Sequence, residues 1–172
     1  NTDASLAYNY GDAFRGEITI DSSGNAIVAS TTNSTNFPTT VGAPQTTFGG
    51  GFSDACLFVL DSNLQNLTWS TYYGGSAQDA GYGVQFDSYD NYFMTGGTKS
   101  SNLVTSATAY DRSYNGNEDG FITKYNTTSN LLIASTYIGT SGYDQSYMVQ
   151  VDINDDVYIA GQSLGNYPVS LG

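Results

Sequence analysis

This sequence predicts an all-β fold in which four-stranded units follow one another along the chain. Three observations predict it. Independent markers recur at one offset: Asp54 and Asp119 are 65 residues apart, as are Ser70-Thr71-Tyr72 and Ser135-Thr136-Tyr137, and as are Asp87 and Asp152, while Asp21 lies 66 residues before Asp87. Short apolar runs, several with strict alternation, are separated by clusters of Asp, Asn, Gly and Ser, the punctuation of strands and turns. No stretch longer than a turn carries a helical period. A fixed offset shared by unrelated markers is the signature of a repeat array.

Taken in order, residues 1–11 read as the last strand of a preceding unit, with a strand near Ser5–Tyr8. The first full unit spans residues 12–76, the second 77–141, and residues 142–172 make the first half of a third. The first strand of each unit reads Gly16-Glu-Ile-Thr-Ile-Asp21, Gly83-Val-Gln-Phe-Asp87 and Met148-Val-Gln-Val-Asp152. Apolar residues there flank Thr19, Gln85 or Gln150, the period-2 pattern of a strand with one apolar face. The second strand, Ala26–Ala29, Tyr92–Thr95 and Val157–Ala160, is apolar without alternation, as expected of a strand covered on both faces. The third strand is Ala55–Leu60 and Gly120–Tyr125; the fourth is Leu67–Tyr73 and Leu131–Ile138.

The connections carry as much information. Asp21-Ser-Ser-Gly-Asn25, Asp87-Ser-Tyr-Asp-Asn91 and Asp152-Ile-Asn-Asp-Asp156 join strands one and two. Their Asp, Asn and Gly residues bond their own backbone and tolerate positive φ, so these are tight hairpins. Asp61–Asn66 is the turn between strands three and four. Strands two and three are joined by a long segment carrying Asn36-Phe-Pro-Thr-Thr40, echoed as Asn102-Leu-Val-Thr105 and Asn166-Tyr-Pro-Val169. A loop that long in a compact domain normally has work to do, and its recurrence predicts a packed loop with an aromatic anchor.

Four-stranded units in series predict β-propeller blades, antiparallel meanders with a repeat of about 65 residues. A parallel β-helix is disfavoured, because its connections progress rather than reverse. About two and a half blades are present, whereas propellers close with roughly 4–8. The expected molecule is therefore an incomplete propeller or one completed by oligomerisation, since an open stack leaves apolar faces and strand edges that proteins normally cover.

The motifs Asp54-Ala-Cys-Leu-Phe-Val-Leu-Asp61, Trp69-Ser-Thr-Tyr-Tyr-Gly-Gly-Ser-Ala-Gln-Asp79, Gly81-Tyr-Gly-Val-Gln-Phe-Asp87 and Ser34-Thr-Asn-Phe-Pro-Thr-Thr-Val-Gly-Ala43 resemble the SBBP β-propeller repeat family over nearly the whole chain. Asp90 and Asp155 stand where that family usually has a hairpin glycine, and Val104 stands in place of the loop proline. The resemblance implies a large secreted or surface-attached protein of bacteria or archaea, and an extracellular or cell-surface location. It implies no particular activity.

Composition narrows the partners. Sixteen acids against four bases give a net charge of −12, which excludes the phosphate-neutralising chemistry of nucleic-acid binding and disfavours anionic lipid. No apolar run reaches the ~20 residues of a membrane span. There is no histidine and a single cysteine, Cys56, so a Ser or Cys nucleophile has no evident base and no internal disulfide forms. The chain starts with Asn1 and shows no signal peptide, so a processed product or a piece of a longer protein is expected.

Candidate sites are few. Asp152, Asn154 and Asp156 place oxygen ligands at alternate positions, as the start of a calcium loop does, but Val157 and Ser163 occupy the places of the glycine and closing glutamate. No other cofactor is called for. Asn33, Asn66 and Asn126 open Asn-x-Ser/Thr sequons at turns. Tyr110, Tyr114 and Tyr143, with Tyr10, Phe48, Phe52 and Tyr167, lie in loops beside polar neighbours, where a ring could stack on a sugar. Paired carboxylates at glycosidase spacing are not evident, and no sialidase-type Ser-x-Asp-x-Gly-x-Thr-Trp turn is present.

The expected function is that of a non-catalytic extracellular or cell-surface segment with a structural, adhesive or display role. Its partners would be further blades of the same protein or other copies of the chain, and surface glycans. One alternative is a subunit of a surface filament or sheath joined through open blade edges. Another is a secreted carbohydrate-binding propeller.

Overall fold

The computed structural model describes residues 16–166. Ten strands run in chain order: β1 Glu17–Ile20, β2 Ala26–Thr32, β3 Asp54–Leu60, β4 Leu67–Tyr73, β5 Asp79–Phe86, β6 Asn91–Thr98, β7 Asp119–Asn126, β8 Leu131–Ile138, β9 Asp144–Val151 and β10 Val157–Ser163. They form two four-stranded antiparallel meanders, β1-β2-β3-β4 and β5-β6-β7-β8, and a two-stranded sheet, β9-β10. No helix occurs among the described residues. The all-β, blade-type fold is thus as expected, and the sheets do not close into a ring. The expected strand at Ser5–Tyr8, and Tyr10 and Tyr167, lie outside the described residues.

Strand positions follow the sequence pattern with one systematic difference. β5 and β9 begin at Asp79 and Asp144, four residues before the alternating runs, so much of the link between units is itself strand. The reason is a bulge. Gly81 pairs with Gly96 and Gly83 with Thr95, leaving Tyr82 as an extra residue; Tyr147 is extra in the same way against β10. The bulge breaks the alternation and hides the first half of the strand from a period-2 reading. Tyr82 and Tyr147 are both buried, and their rings pack 5.9 Å apart at a 60° tilt across the second junction.

The sheets pack face to face, and the core is the contact between them. Leu57, Val59, Trp69 and Tyr73 of the first sheet join Val84, Tyr92, Met94, Phe121 and Tyr125 of the second in one buried cluster. Trp69 lies 5.4 Å from Tyr125 and Tyr73 lies 5.0 Å from Phe121, ring centre to ring centre. Each such side chain stabilises by about 1.5–3 kcal/mol through burial alone. β6 is buried along its whole length, which explains its unbroken apolar run. Ile18 and Ile20 of β1 are 62% and 55% exposed, whereas Val84 and Val149, their counterparts to Ile18 in β5 and β9, are 2% and 1% exposed.

The long loops run along the outer strands. Thr40 N–H donates to Ser70 O and Tyr72 N–H to Gln45 O; Ser106 N–H donates to Ser135 O and Tyr137 N–H to Asp111 O. The Ser-Thr-Tyr motif is the clasp. Ser70 Oγ donates to Pro38 O and Ser135 Oγ to Val104 O, both at 2.7 Å. Tyr72 OH accepts from Phe37 N–H and donates to Ser34 O; Tyr137 OH accepts from Leu103 N–H and donates to Ser100 O. The clasp uses the carbonyl of residue 38 or 104, so Val104 serves where the first unit has Pro38. The outer edges of β4 and β8 are thereby paired with their own loops and are not the open edges that an edge-to-edge filament would need.

Candidate interaction surfaces

Three layers of polar chemistry recur from unit to unit. The first is the hairpin between strands one and two. Asp21 Oδ1 accepts from Ser23 N–H and Asn25 N–H, Asp87 Oδ1 from Tyr89 N–H and Asn91 N–H, and Asp152 Oδ1 from Asn154 N–H and Asp156 N–H. These are Asx turns. The fourth residue has positive φ in each: Gly24 at 82°, Asp90 at 55° and Asp155 at 65°. The two aspartates in the glycine position keep the turn and reach the preceding hairpin. Ser22 Oγ donates to Asp90 Oδ2 at 2.8 Å, and Ser88 Oγ and N–H donate to the Asp155 carboxylate at 2.6 and 2.8 Å. A ladder of Ser–Asp bonds thus ties each hairpin to the next.

The second layer is the junction between units. Asp54, Asp79, Asp119 and Asp144 open β3, β5, β7 and β9, and all are buried. Asp79 N–H donates to Ser53 O, and Asp144 N–H to Glu118 O, so the strand start of one unit is bonded to the residue before strand three of the last. The Asp79 carboxylate accepts from Thr98 Oγ1, from Gly75 N–H at 2.7 Å and from Ser100 Oγ at 2.9 Å. Desolvation pushes Asp79 up to about 7, with its hydrogen bonds opposing and Asp54 adding to the rise. Desolvation likewise pushes Asp54 and Asp119 up to about 6. Oδ1 of Asp54, Asp119 and Asp144 has no hydrogen-bond partner. The carboxylates of Asp54 and Asp119 press on Gly74 and Gly139, where an added Cβ would lie 2.4 Å away. That contact is the reason for glycine after the Tyr-Tyr and Tyr-Ile pairs.

Elsewhere carboxylates are held ionised. Burial opposes ionisation of Asp87, but the Lys124 ammonium at 2.7 Å and the Asn91 side chain outweigh it and lower its pKa. At Asp21, burial is outweighed by bonds from Asn25 and from Tyr92 OH across the junction. Burial raises the Cys56 thiol to about 12, with the Asp54 charge adding to it, which removes it as a nucleophile.

The third layer holds the residues named as candidate sites. Asp152 is occupied as a turn cap, its pKa lowered chiefly by the Asn154 N–H, and Tyr158 OH donates to its other oxygen. The Asp155 carboxylate points to Ser88 rather than toward Asp152. Among the described residues no group of three or more Asp, Glu or Cys is placed to hold a metal ion. Asn33 is exposed at the start of its loop. Asn66 Nδ2 donates to Asp61, and Asn126 Nδ2 donates to Asn91 Oδ1, so both amides brace their own turns. Tyr114 is half-buried, tilts against Tyr137 at 6.3 Å and donates its hydroxyl to Asn117 O. Tyr143 is half-buried at the second junction, and burial raises its hydroxyl pKa. Phe48 packs edge-on to Tyr72. Tyr110 is 75% exposed and Phe52 58%, and Tyr110 borders an open groove on the outward face of the second sheet.

That groove and a neighbouring cavity were not foreseen from composition or motifs. They lie where β8 and β10 face each other without the rings that fill the first junction. The signal was present in the repeat alignment. Trp69 and Tyr73 have Ala134 and Ile138 as their 65-residue counterparts, and Tyr92 has Val157.

No curated protein matches the chain. The family model SBBP, described as Beta-propeller repeat, matches residues 135–168. The match runs from the second Ser-Thr-Tyr clasp through the bulged junction strand and the third hairpin to the Asn-Tyr-Pro motif, about half of the 65-residue repeat period. Over that stretch the chain is similar to the SBBP β-propeller repeat, the family that its motifs resemble along the remainder.

Proposed function

We propose that this chain is a non-catalytic propeller segment that works outside the cell, on its surface or in secreted form, as a structural, adhesive or display module. One observation carries the reading: the carboxylates with pKa values suited to acid–base work, Asp54, Asp79 and Asp119, are each sealed at 0% exposure in a unit junction. A proton donor must reach substrate within hydrogen-bond distance, and these groups reach only neighbouring strands and loops. Their chemistry is structural. What meets solvent is the Ser/Thr/Asn-rich loop layer and the hairpin row, on a chain of net charge −12. Such a surface suits exposure and display, and further repeat units or other copies of the chain would cover its apolar ends. Surface labelling of intact cells with an antibody to the loop layer tests the location. Release of signal by brief protease shaving is the expected result; signal only after lysis would overturn it.

Two alternatives keep a specific observation each. A filament or sheath subunit would join through the apolar faces at the ends of the stack, since the outer edges are covered; a monodisperse monomer of the full protein at high concentration would remove it. A carbohydrate-binding propeller would use Tyr110, exposed beside the groove with Ser106 and Thr108; absence of binding on a glycan array would remove that. A calcium role for Asp152, Asn154 and Asp156 predicts a rise in melting temperature with added calcium, and an unchanged melting curve would remove it.

A further inference from the structure

Each full unit braces the aspartate at the head of its third strand with a side-chain amide, and the two units use different ones. In the first, Gln45 Nε2 donates to Asp54 Oδ2 at 3.3 Å and to Thr47 O at 3.0 Å, while Gln45 Oε1 accepts from Gly74 N–H. In the second, Asn115 Nδ2 donates to Asp111 Oδ2 at 2.7 Å, to Ser113 O at 3.2 Å and to Asp119 Oδ2 at 3.3 Å. Asn115 N–H also donates to Asp119 Oδ2, at 2.8 Å. One amide thus separates two carboxylates. The next residue is Gly116, and this is the only Asn-Gly pair in the sequence. Asn115 is exposed, Gly116 has a φ of 115°, and no atom lies within 4 Å of a Cβ added there. Among the described residues Gly116 N–H makes no hydrogen bond. The first brace lacks these features: Gln45 precedes Thr46, and its carboxamide lies one methylene farther from the backbone.

We propose that Asn115 is a self-modifying site, where the chain converts its own amide to an acid and thereby frees the loop ahead of β7 in the second unit. Gly116 N attacks Asn115 Cγ, the Cγ–Nδ2 bond breaks, and ammonia leaves with the proton given up by Gly116 N–H. Water then opens the cyclic imide at either carbonyl, giving an aspartyl or an isoaspartyl link. Solvent is the only co-reactant. Glycine favours the closure because it has no side chain to block the approach and constrains its own backbone least. The product inverts the brace. A donor that separated Asp111 from Asp119 becomes a third carboxylate between them, so acceptor faces acceptor and like charges meet. The isoaspartyl form also adds a backbone methylene just ahead of Asn117 and Glu118. Those two residues bond the next junction, Asn117 Nδ2 donating to Ser141 O and Glu118 O accepting from Asp144 N–H. Gln45 leaves the first unit's brace unchanged, so the change is confined to one of the two loops. The proposal goes beyond the display role and does not depend on it.

The test holds the folded chain at neutral pH and physiological temperature and maps its tryptic peptides by mass over time. Arg112 and Lys124 bracket the segment that carries Asn115. That peptide should gain about 1 Da, amide to acid, and split into aspartyl and isoaspartyl forms, with fragmentation placing the change at Asn115. Asn115→Gln, which keeps an amide donor, should abolish the gain. Asn115→Asp reproduces the aspartyl product, and limited trypsin digestion should cut it after the exposed Arg112 faster than the parent. The aged parent, separated by its extra negative charge, should be cut faster in the same way. An amide that persists in the folded chain and converts only in urea overturns the site, because the fold then protects it. Conversion at the same rate at Asn117 or Asn126 overturns it too, since the Asn-Gly geometry then selects nothing. Conversion at Asn115 with unchanged cutting after Arg112 overturns the release of the loop.

Discussion

The two junctions of this molecule share one backbone plan and differ in what fills it. In the first, Trp69 and Tyr73 of β4 meet Tyr125 and Phe121 of β7, and Trp69 Nε1 donates to Asn130 Oδ1 at 3.0 Å. In the second, Ala134 and Ile138 take the places of those β4 residues, and Val157 and Ile159 lie half-open across from them. Yet the inner part of the two junctions is equally well made. Val84 and Val149 are both buried, the hairpin ladder runs through both, and in the second junction the bulged Tyr82 and Tyr147 pack against each other at a tilt. The difference teaches that the backbone and polar pattern specify how units stack, whereas the outer rings specify how tightly. The repeat can vary the second without disturbing the first.

The sharpest way to break the comparison is to make the first junction resemble the second. Trp69→Ala should destabilise by about 3–5 kcal/mol, since it removes a buried ring together with its bond to Asn130. Ile138→Ala, the half-buried position one repeat after Tyr73, should cost about 1 kcal/mol or less. Urea unfolding of both variants checks this. Equal losses would mean that the second junction is as tightly filled as the first.

The second way is pH. Asp54, Asp79 and Asp119 have folded pKa values of about 6, 7 and 6, above the ordinary 3.8. The folded state therefore holds protons that the unfolded chain has released. Their contribution is fully present below about pH 4 and is lost as pH rises through 6 to 7. Asp21 and Asp87 act in the opposite sense, because their lowered values cost stability as pH falls below 4. Stability should therefore peak near pH 4–5 and decline toward pH 8, by on the order of a few kcal/mol from Asp79 alone. Asp79→Asn keeps a carbonyl for Gly75 N–H and gives Thr98 an amide donor, so it should flatten the decline from the first junction. Thermal melts across pH 4–8 that slope equally for both proteins would sink the assignment.

Most of the fold was legible because its determinants are local. The hairpin aspartates, the alternating first strands and the Ser-Thr-Tyr clasp each bond within one unit, so each leaves a motif at a fixed offset. What was not legible depends on neighbours. The first halves of β5 and β9 were missed because Tyr82 and Tyr147 bulge out of register. The burial of Asp79 and Asp144 left no signal, since nothing in one unit's sequence says that a neighbouring unit buries them. Asp90 and Asp155 looked like departures from the turn pattern because their carboxylates bond the preceding hairpin. The rings offered as sugar platforms divided on the same ground: Tyr114 is half-buried and packs against Tyr137, while Tyr110 stays 75% exposed.

The smallest effect expected is in the hairpin ladder, and it separates turn geometry from inter-unit bonding. At Asp90 and Asp155 an L-residue sits at positive φ, where glycine would be less strained by roughly 1 kcal/mol. The charge-assisted bonds to Ser22 and Ser88 offset that strain, though at exposed positions they contribute only about 0.5–1.5 kcal/mol. Asp90→Gly should thus change stability little, relief of strain cancelling the lost bond. Asp90→Ala should cost about 1–2 kcal/mol, since it loses the bond and keeps the strain. Ser22→Ala should cost about 0.5–1 kcal/mol in the parent and nothing in the Asp90→Gly background. A double-mutant cycle on Ser22 and Asp90 isolates the pair energy, and a cycle on Ser88 and Asp155 measures the second rung. The second rung adds a backbone donor, Ser88 N–H, to the serine hydroxyl, and should therefore be the stronger. If it is, the open second junction gains at its inner rim part of what it lacks at its outer one. A weaker second rung would leave the buried valines and the paired Tyr82 and Tyr147 as the inner attachment of the third unit.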